Sequence, residues 1–158
     1  MEPVNLHGDE WDRTNDREGW RSRQLSVAKR LGAEKLGATL YELAPGQRTF
    51  PYHWHNALEE MGIVLHGAPT LRDPSGERQL RPGDVVVFRC GQDGAHQLRN
   101  DTDEPVRVLM VSSKADIEAV VYPDSDKIGV MALGIGGGDP VRILVQGTPS
   151  VGYYDGEE

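Results

Sequence analysis

Short apolar runs closed by turn residues limit how this chain can fold more than any other feature. From residue 38 onward, runs such as ATLYEL, MGIVLHG and VRVLMVSS are each bounded by Gly, Pro or Asp. The chain holds 19 Gly and 10 Pro among its 158 residues. A turn signal about every ten residues is typical of antiparallel sandwiches and barrels. The pattern therefore predicts an all-β domain.

Three segments are less regular. Residues 21–37, RSRQLSVAKRLGAEKLG, fit both a strand and a helix face, and we favour a strand. Residues 114–120, KADIEAV, are interpreted as one helical turn. The runs KIGVMALGI and VRILVQG indicate two further strands, joined by a glycine-rich loop that includes residues 136–138. A dinucleotide-binding loop would lead into a helix, so this loop is interpreted as a hairpin connection.

Composition and charge exclude several classes of partner. The net charge of −8 disfavours nucleic acid and anionic membranes, which require clustered Lys and Arg. No apolar run approaches the roughly 20 residues that span a bilayer. The acidic start MEPVNLHGDEWDRTND does not resemble a signal peptide, which predicts a cytoplasmic protein. The one cysteine, Cys90, is expected to be a buried free thiol.

The predicted domain organisation has three parts. Residues 1–20 form a polar N-terminal arm, residues 21–147 a single barrel domain, and residues 148–158 an acidic C-terminal tail. The arm carries Trp11 and Trp20, which could cover an open sheet edge on a second copy of the chain. We therefore expect a homodimer.

Two of the five histidines, His53 and His55, are two residues apart. On an extended strand such residues point to the same face, so both imidazoles can reach one metal ion. Glu60 follows a short polar stretch that can return its carboxylate to the same point. If the later strand that carries His96 is a neighbour, the set has three nitrogens and one oxygen, which suits a borderline divalent ion.

Other polar residues are weaker candidates for the site. His7 and His66 are expected at the surface, and so is Glu59 if Glu60 faces the metal. Strand parity places Asn100 on the face of His96 and Arg99 on the opposite face. A structural or solvated role is favoured for the whole set of polar residues near the predicted barrel strands. This set comprises Tyr41, Gln47, Arg48, Arg72, Gln97, Arg99 and Asn100.

Two motifs resemble those of the cupin superfamily, whose members are small jelly-roll barrels. GQRTFPYHWHNALEEMGIVLHG, residues 46–67, is similar to the first cupin motif and to germins in its last part. GDVVVFRCGQDGAHQLRN, residues 83–100, is similar to the second. The sequence departs from the motifs by one extra residue before His53, by Arg89 in place of Pro and by two extra residues before His96. The resemblance covers residues 38–113.

The resemblance implies a cupin double-stranded β-helix with N- and C-terminal extensions. It implies a divalent ion, Fe, Mn, Ni, Co or Zn, on His53, His55, Glu60 and His96. Glu60 is chosen over Glu59 because it leaves the motif's six residues before Gly67. Members with all four ligands are dioxygenases, decarboxylases, isomerases or lyases. We expect a dioxygenase-like or related enzyme for a small polar molecule, or alternatively a non-catalytic module that binds or senses a small ligand or metal.

Overall fold

The computed structural model describes residues 2–132, 139–147 and 150–156, and they form antiparallel sheets. The first strands are β1 (Arg13–Asn15), β2 (Ser22–Leu25), β3 (Leu36–Leu43), β4 (Trp54–His55) and β5 (Glu60–His66). The next are β6 (Thr70–Asp73), β7 (Gly76–Gln79), β8 (Val85–Phe88) and β9 (Gln97–Arg99). The last are β10 (Val106–Ser113), β11 (Ile117–Tyr122), β12 (Lys127–Ala132) and β13 (Val141–Gln146). One short α-helix, α1 (Val27–Arg30), lies between β2 and β3.

Two walls face each other. The main sheet has six strands in the order β1-β2-β3-β10-β5-β8. The opposite wall consists of β13-β12-β11-β4 and β7-β6-β9. Isolated bridges, His53 with His96 and Arg48 with Arg99, connect the part of the chain leading into β4 with the part around β9. The antiparallel walls form a jelly-roll barrel, so the predicted all-β fold class is confirmed.

The space between the walls is filled by alternate side chains of the strands. The largest apolar cluster includes Val64 of β5, Leu71 of β6, Leu98 of β9 and Val108 of β10, each at most 1 % exposed. Phe88 of β8 is also in this cluster. Each such side chain contributes on the order of 2 kcal/mol when fully buried. The core therefore fixes the strands whose ends carry the polar residues of the site.

Local sequence preference was misleading at three points. Residues 117–122 form strand β11 and not a helical turn, because they pair with both β12 and β4. Residues 21–37 contain β2 and the start of β3, but α1 lies between them. Cys90 is exposed and not buried, because β8 has ended and the chain has reached the surface. The predicted loop at residues 136–138 lies outside the described residues.

The N-terminal arm is attached to its own barrel. Its strand β1 pairs with β2, and Trp11 packs against the cluster formed by Leu25, Val27 and Leu40. Trp11 is thus packed within its own chain. The homodimer stays a prediction, and so do the domain boundaries at residues 20 and 147. No helix in the described ranges is long and apolar enough to cross a membrane.

Candidate metal centre

Side chains from both walls meet in the barrel where the metal ligands were predicted. His53 and His96 form a β-bridge with each other. His55 ends β4, and Glu60 begins β5 in the main sheet. The two extra residues before His96 are absorbed by a 3-10 helix at Gln92–Gly94, so the histidine keeps its place.

The ligand atoms of these side chains are spaced as they would be around one ion. His53 Nε2 is 3.0 Å from His55 Nε2. Glu60 Oε2 is 3.4 Å from His55 Nε2 and 3.1 Å from His96 Nε2. Adjacent ligands of an octahedral ion with bonds of about 2.1 Å are roughly 3.0 Å apart.

The four residues are not equally close to one another. His53, Glu60 and His96 offer ligand atoms that all lie within 4.8 Å of one another. His55 joins them through its contacts with His53 and Glu60. The rings of His55 and His96 are the widest pair of imidazoles, with centroids 6.4 Å apart. His53, Glu60 and His96 would therefore form the compact part of a metal site, and His55 would complete it from the side of His53 and Glu60.

Backbone carbonyls fix the tautomers of two imidazoles. His53 Nδ1 lies 2.9 Å from Pro51 O, and His96 Nδ1 lies 2.9 Å from Gly94 O. Since a carbonyl oxygen only accepts hydrogen bonds, each Nδ1 carries the proton and donates it. Each Nε2 is therefore left with a lone pair directed into the site.

These lone pairs indicate that the site requires a cation. His96 Nε2 is buried and has no hydrogen-bond partner within the described residues, although Glu60 Oε2 is 3.1 Å away. Two acceptors at this distance repel each other, and leaving a buried nitrogen unpaired is costly. A divalent ion between them would satisfy both groups, so the residues fit a metal.

Burial and neighbouring charges separate the pKa values of the site. Burial, with His96 and His55 nearby, lowers the pKa of His53 to about 3. Burial also opposes ionisation of Glu60, but the contact with His55 is the leading cause that holds the Glu60 pKa well below its usual range. Burial disfavours the charged form of His55 too, but Glu60 and Glu118 outweigh it and raise the His55 pKa. His53 and Glu60 thus stay ready to bind a metal at neutral pH.

Glu118 is a buried carboxylate that the sequence analysis missed. It lies in β11, is 3 % exposed, and places Oε1 3.4 Å from His55 Nδ1. Its two oxygens also accept hydrogen bonds from the backbone N–H groups of Asn56 and Ala57, at 2.9 and 3.1 Å. A carboxylate behind a metal-binding histidine orients the ring and increases its basicity. At 3.4 Å this contact is not a hydrogen bond, and Glu118 acts on His55 through its negative charge.

We expect Glu118→Gln to weaken binding of Mn²⁺ about 10- to 100-fold, because the amide cannot polarise His55 as a carboxylate does. Titration calorimetry at about pH 8 measures this, since few protons then compete for the imidazole. Asp116→Asn, at an exposed acid of the β10–β11 connection, is the matched control and should leave the affinity unchanged. Equal affinities of the Glu118 variant and the wild type would show that Glu118 has no positioning role.

Aromatic rings hold the imidazoles in place. Phe88 stacks on His96 with centroids 3.7 Å apart and an angle of 7° between the planes. Phe50 meets His53 and His96 edge-on at 4.8 and 5.3 Å. Tyr122 stacks on His53 at 5.7 Å. These contacts limit ring rotation and keep water from that side of the site.

The site is open on the side of His55 and Glu60, whose side chains are 13 % and 17 % exposed, against 0 % for His96. A cavity of about 620 Å³ is lined by Ser112, the cross-strand partner of Glu60, and by Glu118. A cavity of this size accepts a small molecule. The cavity borders the centre through Glu118, and none of the four candidate ligands lines it.

The other polar candidates have different positions. Tyr41 is in the barrel, where burial and the nearby Glu60 raise its pKa to about 12. Gln47 accepts a hydrogen bond from the backbone of Arg21. Asn100 is fully buried in a structural network. Gln97 donates to the carbonyl of Phe50 and lines a different cleft together with the three arginines of the set, Arg48, Arg72 and Arg99.

Three residues predicted to lie outside the site do so. His7, His66 and Glu59 are exposed, as expected. The Glu59 side chain faces away from the metal centre, because adjacent residues at the start of a strand alternate in direction. Its backbone N–H donates to Ser113 Oγ.

A jelly-roll barrel with a buried centre of imidazoles and one carboxylate defines a class of metal-binding β-barrel proteins. Residues 39–112 match the family model described as a Cupin domain. That range contains the four side chains of the centre. The chain belongs to the cupin superfamily.

A curated protein extends this comparison. The chain is 30 % identical over 100 residues to Auxin-binding protein 1 of Arabidopsis thaliana. The matched region covers 59 % of this chain and 50 % of the relative. The chain thus spans about half the length of that curated relative.

Two solved structures are similar over most of the chain. One is a sugar phosphate isomerase of the cupin superfamily from Silicibacter pomeroyi, with 25 % identity, a TM-score of 0.77, and coverage of 95 % of this chain and 97 % of the other. The other is a proposed sugar phosphate isomerase from Acidithiobacillus ferrooxidans, with 28 % identity, a TM-score of 0.74, and coverage of 84 % and 81 %.

Proposed function

We propose that this protein is a divalent-metal-dependent enzyme that acts on a small polar molecule, with the ion held by His53, His55, Glu60 and His96. One observation carries the proposal: the Nε2 atoms of His55 and His96 lie 3.4 and 3.1 Å from one oxygen of Glu60, and His53 Nε2 lies 3.0 Å from His55 Nε2. Three nitrogens and one oxygen suit Fe, Mn, Ni, Co or Zn better than Mg or Ca.

The bound ion would supply Lewis-acid polarisation of a ligand oxygen. The chain's own residues have separate roles. The carbonyls of Pro51 and Gly94 keep Nε2 of His53 and of His96 free of a proton, and the Glu118 carboxylate lies behind His55. Phe50 and Phe88 exclude water from the inner side. Four protein ligands on an octahedral ion leave about two positions for a substrate or water.

The similar proteins and the donor set support two reaction classes. A sugar phosphate isomerase that resembles the whole chain supports an isomerase acting on a small hydroxy-carbonyl compound. The same donor set also suits a dioxygenase-like reaction with Fe²⁺. Both reactions need a metal with exchangeable positions and a polar substrate small enough for the adjoining cavity of about 620 Å³.

A non-catalytic role is the second candidate. The likeness to Auxin-binding protein 1, whose name describes a binding protein, supports a module that binds a small ligand or senses the metal. Such a module would bind metal and ligand without turnover. The metal site itself is the same in both proposals.

We also propose that the protein works in the cytoplasm as a homodimer and does not bind nucleic acid. The net charge of −8 supports the last point, because it repels a phosphate backbone.

Activity assays on metal-loaded protein separate the two roles. We expect conversion of one or more aldose or ketose phosphates, or oxygen uptake with Fe²⁺ on small organic acids and phenols, and loss of that activity after chelation. Binding of the metal and of a small ligand without any turnover across both panels would favour the binding module. Absence of metal binding would overturn the proposed function.

Metal affinity should decrease as the pH falls from about 8 to about 5.5. The pKa of His55 is raised above its ordinary value of 6.5, so its imidazole binds a proton that the metal must displace, and the affinity loss begins above pH 6.5. Calorimetry in buffers of different ionisation enthalpy should show release of about one proton near pH 6.5. An affinity that is constant across this range would contradict the proposed role of His55.

A further inference from the structure

A second cleft, of about 430 Å³, lies on the Nδ1 side of His53. Its wall includes Pro51, whose carbonyl accepts the hydrogen bond from that nitrogen, and Gln97, the neighbour of His96. None of the four side chains of the metal centre lines it. The cleft is therefore a separate site that adjoins the metal centre.

Four cationic side chains line this cleft, and two of them are neutralised. Arg72 forms a two-point ion pair with Asp124, at 2.5 and 2.9 Å. Arg99 forms a similar pair with Glu77, at 2.5 and 2.6 Å, and also contacts Asp101. These pairs build rigid walls, because a fork-to-fork contact holds both side chains in one geometry.

The other two cations, Arg48 and Lys127, have no carboxylate partner within the described residues. The Arg48 guanidinium lies 5.6 Å over the Trp20 ring, and Lys127 Nζ lies 5.7 Å over the Tyr122 ring. Aromatic faces support a cation without neutralising it. Arg48 also helps to lower the pKa of Asp101, but that carboxylate is already paired with Arg99.

We propose that this cleft binds the phosphate group of a small phosphorylated molecule, with Arg48 and Lys127 as its two charged contacts. The four cations outnumber the three carboxylates of Asp124, Glu77 and Asp101, so the cleft keeps a net positive charge. The guanidinium fork of Arg48 matches phosphate oxygens. The whole chain has a net charge of −8, so the positive charge of this cleft is opposite in sign to the net charge of the protein. Its volume exceeds that of a bare ion and fits a small organic phosphate.

The remainder of such a molecule has space beside the phosphate. An adjoining depression of about 320 Å³ shares Trp20, Pro51 and Lys127 with the cleft. Towards the metal centre, Tyr122 lies between Lys127 and His53, with contacts of 5.7 Å on each side. The inference does not depend on metal binding, because none of the proposed phosphate contacts is a ligand of the ion.

Calorimetric titration of metal-free protein with glucose 6-phosphate, inorganic phosphate and glucose tests the proposal. We expect both phosphates to bind and glucose not to bind. Arg48→Gln and Lys127→Met should each weaken phosphate binding about tenfold, because each removes a hydrogen bond to a charged group. Lys127→Arg keeps the charge and should retain most of the affinity, whereas Arg48→Lys keeps the charge but loses the fork and should bind between Arg48→Gln and wild type.

Arg81→Gln is the matched control, because it removes an exposed cation from a turn outside the cleft and should not change the affinity. Thermal unfolding shows that each variant is folded. The proposal is overturned if wild-type protein binds neither phosphate, if both charge-removing variants bind as tightly as wild type, or if Arg81→Gln weakens binding equally. Mn²⁺ titration of the same samples is a separate readout, so failure of the phosphate site is distinguishable from failure of the metal site.

Discussion

Changing His53 and His55 together to alanine should reduce the affinity for Mn²⁺ at least about 100-fold, because even residues behind a metal ligand contribute 10- to 100-fold. The double variant removes two of four ligand atoms and leaves Glu60 with His96 alone. Titration calorimetry at about pH 8, followed by elemental analysis of the protein after dialysis, measures the loss.

A matched double variant, His7→Ala with His66→Ala, removes two exposed imidazoles and should bind as the wild type does. Thermal unfolding of the metal-free proteins should show that the His53 and His55 variant is still folded, since neither residue belongs to the main apolar cluster. Unchanged affinity in this variant would mean that the ion binds elsewhere.

Replacing Asn100 with alanine should lower the free energy of unfolding by about 3 kcal/mol, because buried partners lose their hydrogen bonds. The Asn100 amide is fully buried and donates to Leu43 O and Glu104 O, at 3.1 and 2.8 Å. Its oxygen accepts from the backbone N–H and the hydroxyl of Thr102, at 3.0 and 2.7 Å. Urea denaturation of the metal-free protein measures the change.

Asn5→Ala, at an exposed position near the N-terminus, is the control and should change the free energy of unfolding by less than about 0.5 kcal/mol. The folded Asn100 variant should keep its affinity for Mn²⁺, because Asn100 does not contact the metal centre. A decrease of less than about 1 kcal/mol in the free energy of unfolding would contradict the structural role of Asn100. A folded Asn100 variant that binds Mn²⁺ more weakly would show that Asn100 belongs to the metal site.

Local spacing was enough to predict the fold class and to select the four side chains that meet in the barrel. His53 and His55 share a strand face, and Glu60 is close to them in the chain. His96 could be added because a second motif carries it. Turn residues between short apolar runs are also local signals, so most strands could be predicted directly from the sequence.

The residues that were missed depend on contacts between distant segments. Glu118 is 63 residues from His55 in the sequence, and its segment was interpreted as a helical turn because its pairing with β4 and β12 cannot be seen locally. The cleft of Arg48, Arg99 and Lys127 likewise assembles from separate strands. No spacing rule brings such residues together, whereas the register of paired strands does.

Strand parity gave the correct face for Asn100 but no role. A buried amide serves either a ligand or the backbone, and the choice depends on which carbonyls lie nearby. The end of β3, at Leu43, and the turn before β10, at Glu104, supply those carbonyls here. Cys90 shows the opposite case, because an apolar strand before it suggested burial while the chain had already reached the surface.

The central claim is that one divalent ion binds to His53, His55, Glu60 and His96. Crystals of the protein grown with Mn²⁺, measured at the manganese absorption edge, test it most directly. We predict one anomalous peak per chain, about 2.0–2.3 Å from the three Nε2 atoms and from a Glu60 carboxylate oxygen. A peak at any other position, or none at full Mn²⁺ loading, would contradict the claim.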